Sequence, residues 1–144
     1  TKQLSSLIEG ETNLIAILSN TSALLNDALD QVNWVGFYLI EGNELILGPF
    51  QGQPACVHIA IGKGVCGTAV SENTTQRVSD VHQFPGHIAC DANSQSEIVV
   101  PVRINNEVIG VLDIDAPIKD RFSQEDQDGL EQIVHILEKQ LSQS

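Results

Sequence analysis

Residues 97–116, EIVVPVRINNEVIGVLDIDA, carry the clearest structural signal in the chain. Two runs rich in β-branched residues, EIVVPVRI and VIGVLDIDA, flank the polar turn NNE. Apolar runs of this length around a short asparagine-containing turn predict an antiparallel β-hairpin. A second such unit lies upstream, where NWVGFYLI and ELILGPF flank EGN in residues 33–50. The two hairpins predict an antiparallel sheet at the centre of the fold.

The segments outside the hairpins predict helices at both ends of the chain and shorter elements between them. Apolar positions in residues 2–32 recur at helical spacing, which predicts two helices broken near 9–11 or 20–21. Residues 55–61 predict a third strand, 62–73 a glycine turn with a short helix, and 75–81 a short strand. Ser123 and Asp126 form a capping-box pattern that begins a final helix through Leu141. This order predicts one continuous α+β domain over residues 1–144, with terminal helices covering one sheet face.

Composition narrows the possible functions. The 144 residues are 42% hydrophobic and carry a formal net charge of −12, which argues against nucleic acid or an anionic membrane surface as a partner. The sequence has neither a signal-peptide pattern nor an apolar run long enough to cross a membrane. Three cysteines are an odd number, which a secreted disulfide framework would not normally leave. We therefore expect a cytoplasmic protein in which any disulfide is transient.

Cys90 lies in an unusual setting for a structural cysteine. The surrounding stretch, HQFPGHIACDANSQSEIVVPV in residues 82–102, begins as a loop with Pro85 and Gly86 and ends as an apolar strand. His87 precedes Cys90 by three positions, and Glu97 follows it. Exposed thiols near titratable groups are the reactive kind, because the thiolate is the nucleophile. Cys90 is either a chemically active thiol or an inert loop cysteine.

Two further groups of residues suggest a ligand pocket. Strand periodicity places Asp113 and Asp115 on one face, where neighbouring carboxylates raise each other's pKa and suit proton donation or ammonium binding. The alternative is an ordinary solvated strand face. Trp34 and Tyr38 share a face with Gly36 between them, which predicts open space for a ligand. The alternative for the aromatic pair is a place in the core.

Two other motifs carry less weight. Residues 62–67, GKGVCG, match a dinucleotide-binding fingerprint, but the predicted helix after them is too short for a βαβ crossover. These glycines are therefore expected to shape a strand-to-helix turn. Cys56 and His58, together with His87 and Cys90, could supply zinc ligands, yet their spacing departs from the usual knuckles and we expect no metal.

Four segments together resemble one known family. WVGFYL, GKGVCGTA, FPGHIACDANSQSEIVVPV and GVLDIDAP look like the GAF-fold free methionine-(R)-sulfoxide reductases, and the similarity covers nearly the whole chain. The resemblance implies a GAF-like antiparallel sheet flanked by N- and C-terminal helices. It also implies reduction of free methionine-(R)-sulfoxide, with Cys90 as the nucleophile, Cys56 as the second redox cysteine and Cys66 as the third.

The same resemblance implies a substrate pocket, which is formed by Trp34, Tyr38, Glu97, Asp113 and Asp115. It implies no metal or organic cofactor, a thioredoxin or another dithiol as reductant, and a homodimer. Catalysis would leave a sulfenic acid on Cys90, which Cys56 would convert to a disulfide. The competing hypothesis is a non-enzymatic GAF sensor that binds a small ligand or zinc in the same pocket.

Overall fold

A computed structural model of the chain describes residues 2–86 and 93–143. Four α-helices, one 3₁₀ helix and six strands occur in these two ranges: α1 Lys2–Ile8, α2 Leu14–Ala28, β1 Trp34–Glu41, β2 Glu44–Gly52, β3 His58–Ala60, α3 Gly64–Glu72, β4 Gln76–Val78, the 3₁₀ helix Val81–Gln83, β5 Ser96–Ile104, β6 Glu107–Ala116 and α4 Gln124–Leu141. The strands form one antiparallel sheet in the order β3-β2-β1-β6-β5-β4. The predicted α+β architecture is confirmed.

Both predicted hairpins form at the centre of this sheet. β5 and β6 are joined by Asn105 and Asn106, whose φ angles of 54° and 66° suit the tight turn that matches strand twist. Gly42, with φ of 67°, turns β1 into β2. β1 and β6 then pair directly, so the two hairpins join into one sheet. This pairing brings residues from both hairpins onto a common face.

The helices at the two ends of the chain cover one face of the sheet, as predicted. The helical break falls between Ile8 and Leu14, where Gly10 has a φ of 76° and Asn13 accepts a hydrogen bond from the Ala16 amide. Ser123 and Asp126 form the predicted capping box of α4. The core on this face is aliphatic, with one phenylalanine from the sheet. It contains Leu4, Ile17, Leu18, Phe37, Ile98, Val100, Leu112, Ile114, Val134 and Leu137.

The opposite face packs against α3. The glycine turn that precedes this helix is confirmed: the Gly62 amide donates to the Gly67 carbonyl at 2.9 Å. A Cβ on Gly67 would lie 2.5 Å from the Ala60 carbonyl oxygen, so only glycine permits this close approach. The fingerprint-like glycines therefore serve packing of α3 against the end of β3.

Two local predictions need correction. The third strand is His58–Ala60 and not 55–61, so Cys56 precedes the strand and does not share a strand face with His58. Pairing of β3 with β2 ends just beyond His58, where the Leu47 amide donates to the Val57 carbonyl at 2.9 Å. The 3₁₀ helix Val81–Gln83, begun by Asp80, was not predicted from the sequence. In the described ranges, no helix is both long and apolar enough to span a membrane.

Candidate active site

The acidic residues of the site are placed by strand register. Asp115 of β6 pairs with Trp34 of β1 on one side and with Glu97 of β5 on the other. Asp113, two residues earlier on β6, pairs with Gly36 of β1 and Val99 of β5. Because side chains alternate along a strand, Glu97, Asp113 and Asp115 point to the same face of the sheet. The predicted common face of Asp113 and Asp115 is therefore confirmed.

Cys66 reaches these acids from α3, which crosses the same face. Its sulfur and one carboxylate oxygen from each of Glu97 and Asp113 all lie within 4.8 Å of one another. The three side chains are buried, with exposed fractions of 4% for Cys66, 7% for Glu97 and 5% for Asp113. Within the described ranges this is the group of cysteine, histidine and acidic residues that could hold a metal ion. The sequence places Cys66 in a predicted glycine turn, and the structure adds its proximity to the acids.

Burial decides the protonation of this cluster. The pKa of Glu97 is raised well above its ordinary value by burial, then by the charges of Asp113 and Asp115 and by hydrogen bonds to them. Burial also raises the pKa of Asp113, although hydrogen bonds from Glu97 and Cys66 oppose that shift. These directions favour a protonated Glu97 that donates a hydrogen bond to the Asp113 carboxylate. These contacts leave Oδ1 of Asp113 buried without a hydrogen-bond partner.

The Cys66 thiol is unsuited to nucleophilic chemistry in this setting. Burial raises its pKa well above the ordinary value, and the charges of Asp113, Glu97 and Asp115 raise it further. The reactive form of cysteine is the thiolate, which this surrounding disfavours. Cys66 is a free thiol, whereas Cys56 is disulfide-bonded.

An aromatic stack forms the adjoining wall. The Trp34 ring stacks on Tyr38 with centroids 5.8 Å apart and on Phe50 with centroids 5.2 Å apart. The expectation of open space over Gly36 is wrong, because a Cβ there would lie 2.3 Å from the Phe50 Cβ and 2.8 Å from a Trp34 ring atom. Gly36 instead lets these two rings pack close to the sheet. Phe50 was missed from the sequence because it lies on the neighbouring strand β2.

The aromatic pair also fixes the segment that carries Cys56. The Tyr38 hydroxyl donates to the Cys56 carbonyl at 3.0 Å, and the Trp34 indole N–H donates to the Gln53 carbonyl at 3.1 Å. Burial raises the pKa of Tyr38, so its hydroxyl remains a donor. Tyr38 thus holds the Cys56 backbone, and the charge of Asp113 contributes to its raised pKa.

Some of the residues singled out in the sequence are not part of the described site. Cys90 and His87 lie outside the described residues, so the proposed nucleophile is not placed relative to the pocket. His58, one of the suggested zinc ligands, is exposed and forms an ion pair with Glu44 at 3.0 Å. The structure thus gives no metal-like grouping of His58 with Cys56 in the described part of the chain.

Comparison with known proteins places this site in a family. The chain matches the GAF domain over residues 13–141. The free methionine-R-sulfoxide reductase of Escherichia coli (strain K12) is 56% identical over 141 residues, which are 98% of this chain and 86% of that protein. The fRMsr of Staphylococcus aureus in its reduced form superposes with a TM-score of 0.96 at 74% identity, over 97% of this chain and 91% of that one.

A third relative has been solved with its substrate. The free methionine-R-sulfoxide reductase of Neisseria meningitidis, in that complex, gives a TM-score of 0.94 at 43% identity, over 99% of this chain and 87% of that one. Similarity of this extent covers both the sheet and the buried acids described above. The chain therefore belongs to the GAF-domain family and, within it, to the free methionine-R-sulfoxide reductases, which are oxidoreductases.

Proposed function

We propose that this protein reduces free L-methionine-(R)-sulfoxide to methionine. The observation that carries the proposal is the buried pair Glu97 and Asp113 beside the half-buried Asp115, which lies opposite Trp34 in the sheet. Relatives 56% and 45% identical to this chain carry the name of that activity. The Staphylococcus aureus relative, at 74% identity, was also solved in complex with its substrate.

The acid cluster suits a small cationic amine. None of the ion pairs formed within residues 2–86 and 93–143 includes Glu97 or Asp113. Buried carboxylates are costly when they are ionised together without a counter-ion. The α-ammonium of a free amino acid supplies that charge, whereas a peptide nitrogen does not. Asp113 and Asp115 would bind the ammonium, and Trp34 would pack against the S-methyl group.

Glu97 is the residue we assign to the oxygen of the sulfoxide. Its pKa is raised well above the ordinary value, which favours the protonated state that a general acid needs. The Cys90 thiolate would attack the sulfoxide sulfur and form a sulfur–sulfur bond, while Glu97 would protonate the oxygen. The hydroxyl group would then pass to the Cys90 sulfur as the sulfur–sulfur bond breaks, so that methionine leaves and Cys90 becomes a sulfenic acid.

We assign the second redox step to Cys56. Its thiol would attack the sulfenic acid of Cys90, releasing water and forming a Cys56–Cys90 disulfide. Two observations support Cys56 over Cys66 in this step: Cys56 is disulfide-bonded, and Cys66 is a free, buried thiol with a raised pKa. The hydrogen bond from Tyr38 holds the Cys56 backbone in place. Cys66 then has a supporting and not a redox role.

The remaining elements of the hypothesis concern the surroundings of the reaction. We propose thioredoxin or another dithiol as the reductant of the disulfide, because two electrons must return to the two cysteines in each cycle. The chemistry requires no metal or organic cofactor. We also propose a single GAF domain over residues 1–144, a homodimer and a cytoplasmic location.

The decisive experiment tests which substrate the protein accepts. Purified protein with dithiothreitol is given free methionine-R-sulfoxide, the S epimer and N-acetyl-methionine-R-sulfoxide at matched concentrations. We expect turnover of the free R epimer and a kcat/KM at least roughly thirtyfold lower for the acetylated one, because a charge-assisted contact is worth ~2–5 kcal/mol.

Two outcomes would contradict this proposal. Equal kcat/KM for the acetylated substrate would mean that the carboxylates do not recognise the amino group. Binding of methionine sulfoxide without any turnover would favour the sensor alternative.

A further inference from the structure

We propose that Cys66, Glu97 and Asp113 form a binding site for one thiophilic divalent metal ion of the zinc class. The three ligand atoms lie within 4.8 Å of one another, and all three side chains are buried. They project from α3, β5 and β6, which are regular elements that pack against each other. Ligands on rigid elements hold their geometry better than ligands on loops.

The donor set matches what zinc accepts. Zinc binds thiolate sulfur at ~2.3 Å and carboxylate oxygen at ~2.0–2.2 Å in a tetrahedral arrangement, which separates neighbouring ligand atoms by roughly 3.5 Å. The three ligand atoms already lie within 4.8 Å of one another. Side-chain shifts of about an ångström would bring them to the spacing that zinc requires. Three protein ligands also leave the fourth position open for water.

The hydrogen bonding of Asp113 is a second observation that favours a bound cation. Oδ1 of Asp113 is buried and has no hydrogen-bond partner, which is costly for a carboxylate oxygen. No ion pair of the described chain involves Glu97 or Asp113. A divalent cation would give this oxygen a partner and would displace the protons that Cys66 and Glu97 hold, so metal binding should strengthen as pH rises. The site uses none of Cys56, His58, His87 and Cys90, whose spacing argued against zinc in the sequence.

Such an ion would compete with the amino group assigned above to the same acids. Metal binding would therefore block the pocket against substrate. The inference does not depend on the proposed function, because the metal can be measured without any sulfoxide present.

The test uses Cd²⁺ as the probe, since cadmium–thiolate bonds have an ultraviolet absorption band. In the full-length Cys56→Ser/Cys90→Ser variant, Cys66 is the sole thiol among the three cysteines of the chain. We expect the band to saturate at about one Cd²⁺ per chain and to vanish when Cys66→Ser is added. Zn²⁺ should displace the cadmium and remove the band.

Variants of the two acids distinguish a three-ligand metal site from a single reactive thiol. Asp113→Asn and Glu97→Gln should each weaken Cd²⁺ binding roughly tenfold or more. Glu107→Gln, an exposed acid on the same hairpin, should leave the affinity unchanged. Circular dichroism of every variant confirms that it is folded before titration.

The outcomes distinguish the two proposals. Stoichiometric Cd²⁺ binding that survives Cys66→Ser, or an affinity unchanged by both Asp113→Asn and Glu97→Gln, would overturn the metal site. The absence of a band up to about 1 mM Cd²⁺ would overturn it as well, since a dissociation constant above about 1 mM is too weak for a site with three protein ligands. Intact metal binding in a protein that does not reduce methionine sulfoxide would overturn only the proposed function.

Discussion

Both faces of the sheet carry a hydrophobic cluster, but only one of them also buries acids. Leu112 and Asp113 are neighbours on β6, with exposed fractions of 0% and 5%, and they point to different faces. The Leu112 face is covered by α1, α2 and α4 and contains an aliphatic core. The Asp113 face is covered by α3 and carries buried acids and a thiol. The first face is an aliphatic core, whereas the second combines apolar packing with groups that oppose folding but suit chemistry.

The largest expected effect is on stability, from the aliphatic face. Leu112→Ala should lower the free energy of unfolding by ~2–5 kcal/mol, because it opens a cavity in a fully buried core. Urea unfolding followed by circular dichroism measures the change. Ile118→Ala, at an exposed position, should stay within about 0.5 kcal/mol. A loss below about 1 kcal/mol for Leu112→Ala would mean that the aliphatic face is not the stabilising one.

The second largest expected effect is on activity, and it comes from the face that carries the acids. Glu97→Gln should lower kcat/KM for free methionine-R-sulfoxide by roughly 100-fold or more, because it removes the proposed general acid. Its free energy of unfolding should not fall, since a buried ionisable group is replaced by a neutral one of similar shape. Glu107→Gln is the matched control and should change neither quantity. Near-normal kcat/KM in Glu97→Gln would remove Glu97 from the proton-transfer step.

The third effect is a pH dependence of stability that only the acidic face produces. The pKa of Glu97 is raised from an ordinary value of 4.5, so the folded state keeps a proton that the unfolded state releases. The free energy of unfolding therefore falls as pH rises above about 4.5 toward the folded-state value, by at most ~1.4 kcal/mol per pH unit for one group.

Unfolding curves between pH 5 and about 8 compare the wild type with Glu97→Gln. The decline with pH should be shallower in Glu97→Gln, and Glu107→Gln should follow the wild type. Parallel profiles for the wild type and Glu97→Gln would show that Glu97 is ionised in the folded protein.

The smallest expected effect comes from Cys66. Cys66→Ser keeps a small donor beside Asp113, so kcat/KM should stay within roughly threefold of the wild type, which corresponds to less than ~1 kcal/mol. Cys90→Ser, made in parallel, should abolish turnover because it removes the proposed nucleophile. An equal loss in both variants would give Cys66 a redox role and contradict the assignment of Cys56.

The predicted fold agreed with the structure wherever the signal was local. The two hairpins, the capping box of α4 and the glycine turn before α3 follow from residues close together in sequence. The prediction failed for β3, which lies at the edge of the sheet and pairs with β2. An edge strand has one neighbour, so its extent is set by that neighbour and not by its own composition.

The sequence by itself determined which side chains share a strand face. Asp113 and Asp115 are two residues apart on one strand, and a period of two residues places them together in any sheet. The same rule put Trp34 and Tyr38 on one face, which the stacked rings confirm.

Only the tertiary structure decided what these side chains meet. The approach of Cys66 to Glu97 and Asp113 depends on how α3 crosses the sheet, and Phe50 fills the space over Gly36 from the adjacent strand. The raised pKa values of Glu97 and Cys66 have the same origin, because burial and neighbouring charge come from residues distant in the chain. The two-residue period fixes which face of the sheet each side chain of a strand points to. Distances between side chains of different elements, and the polarity of their surroundings, are set only when the chain packs.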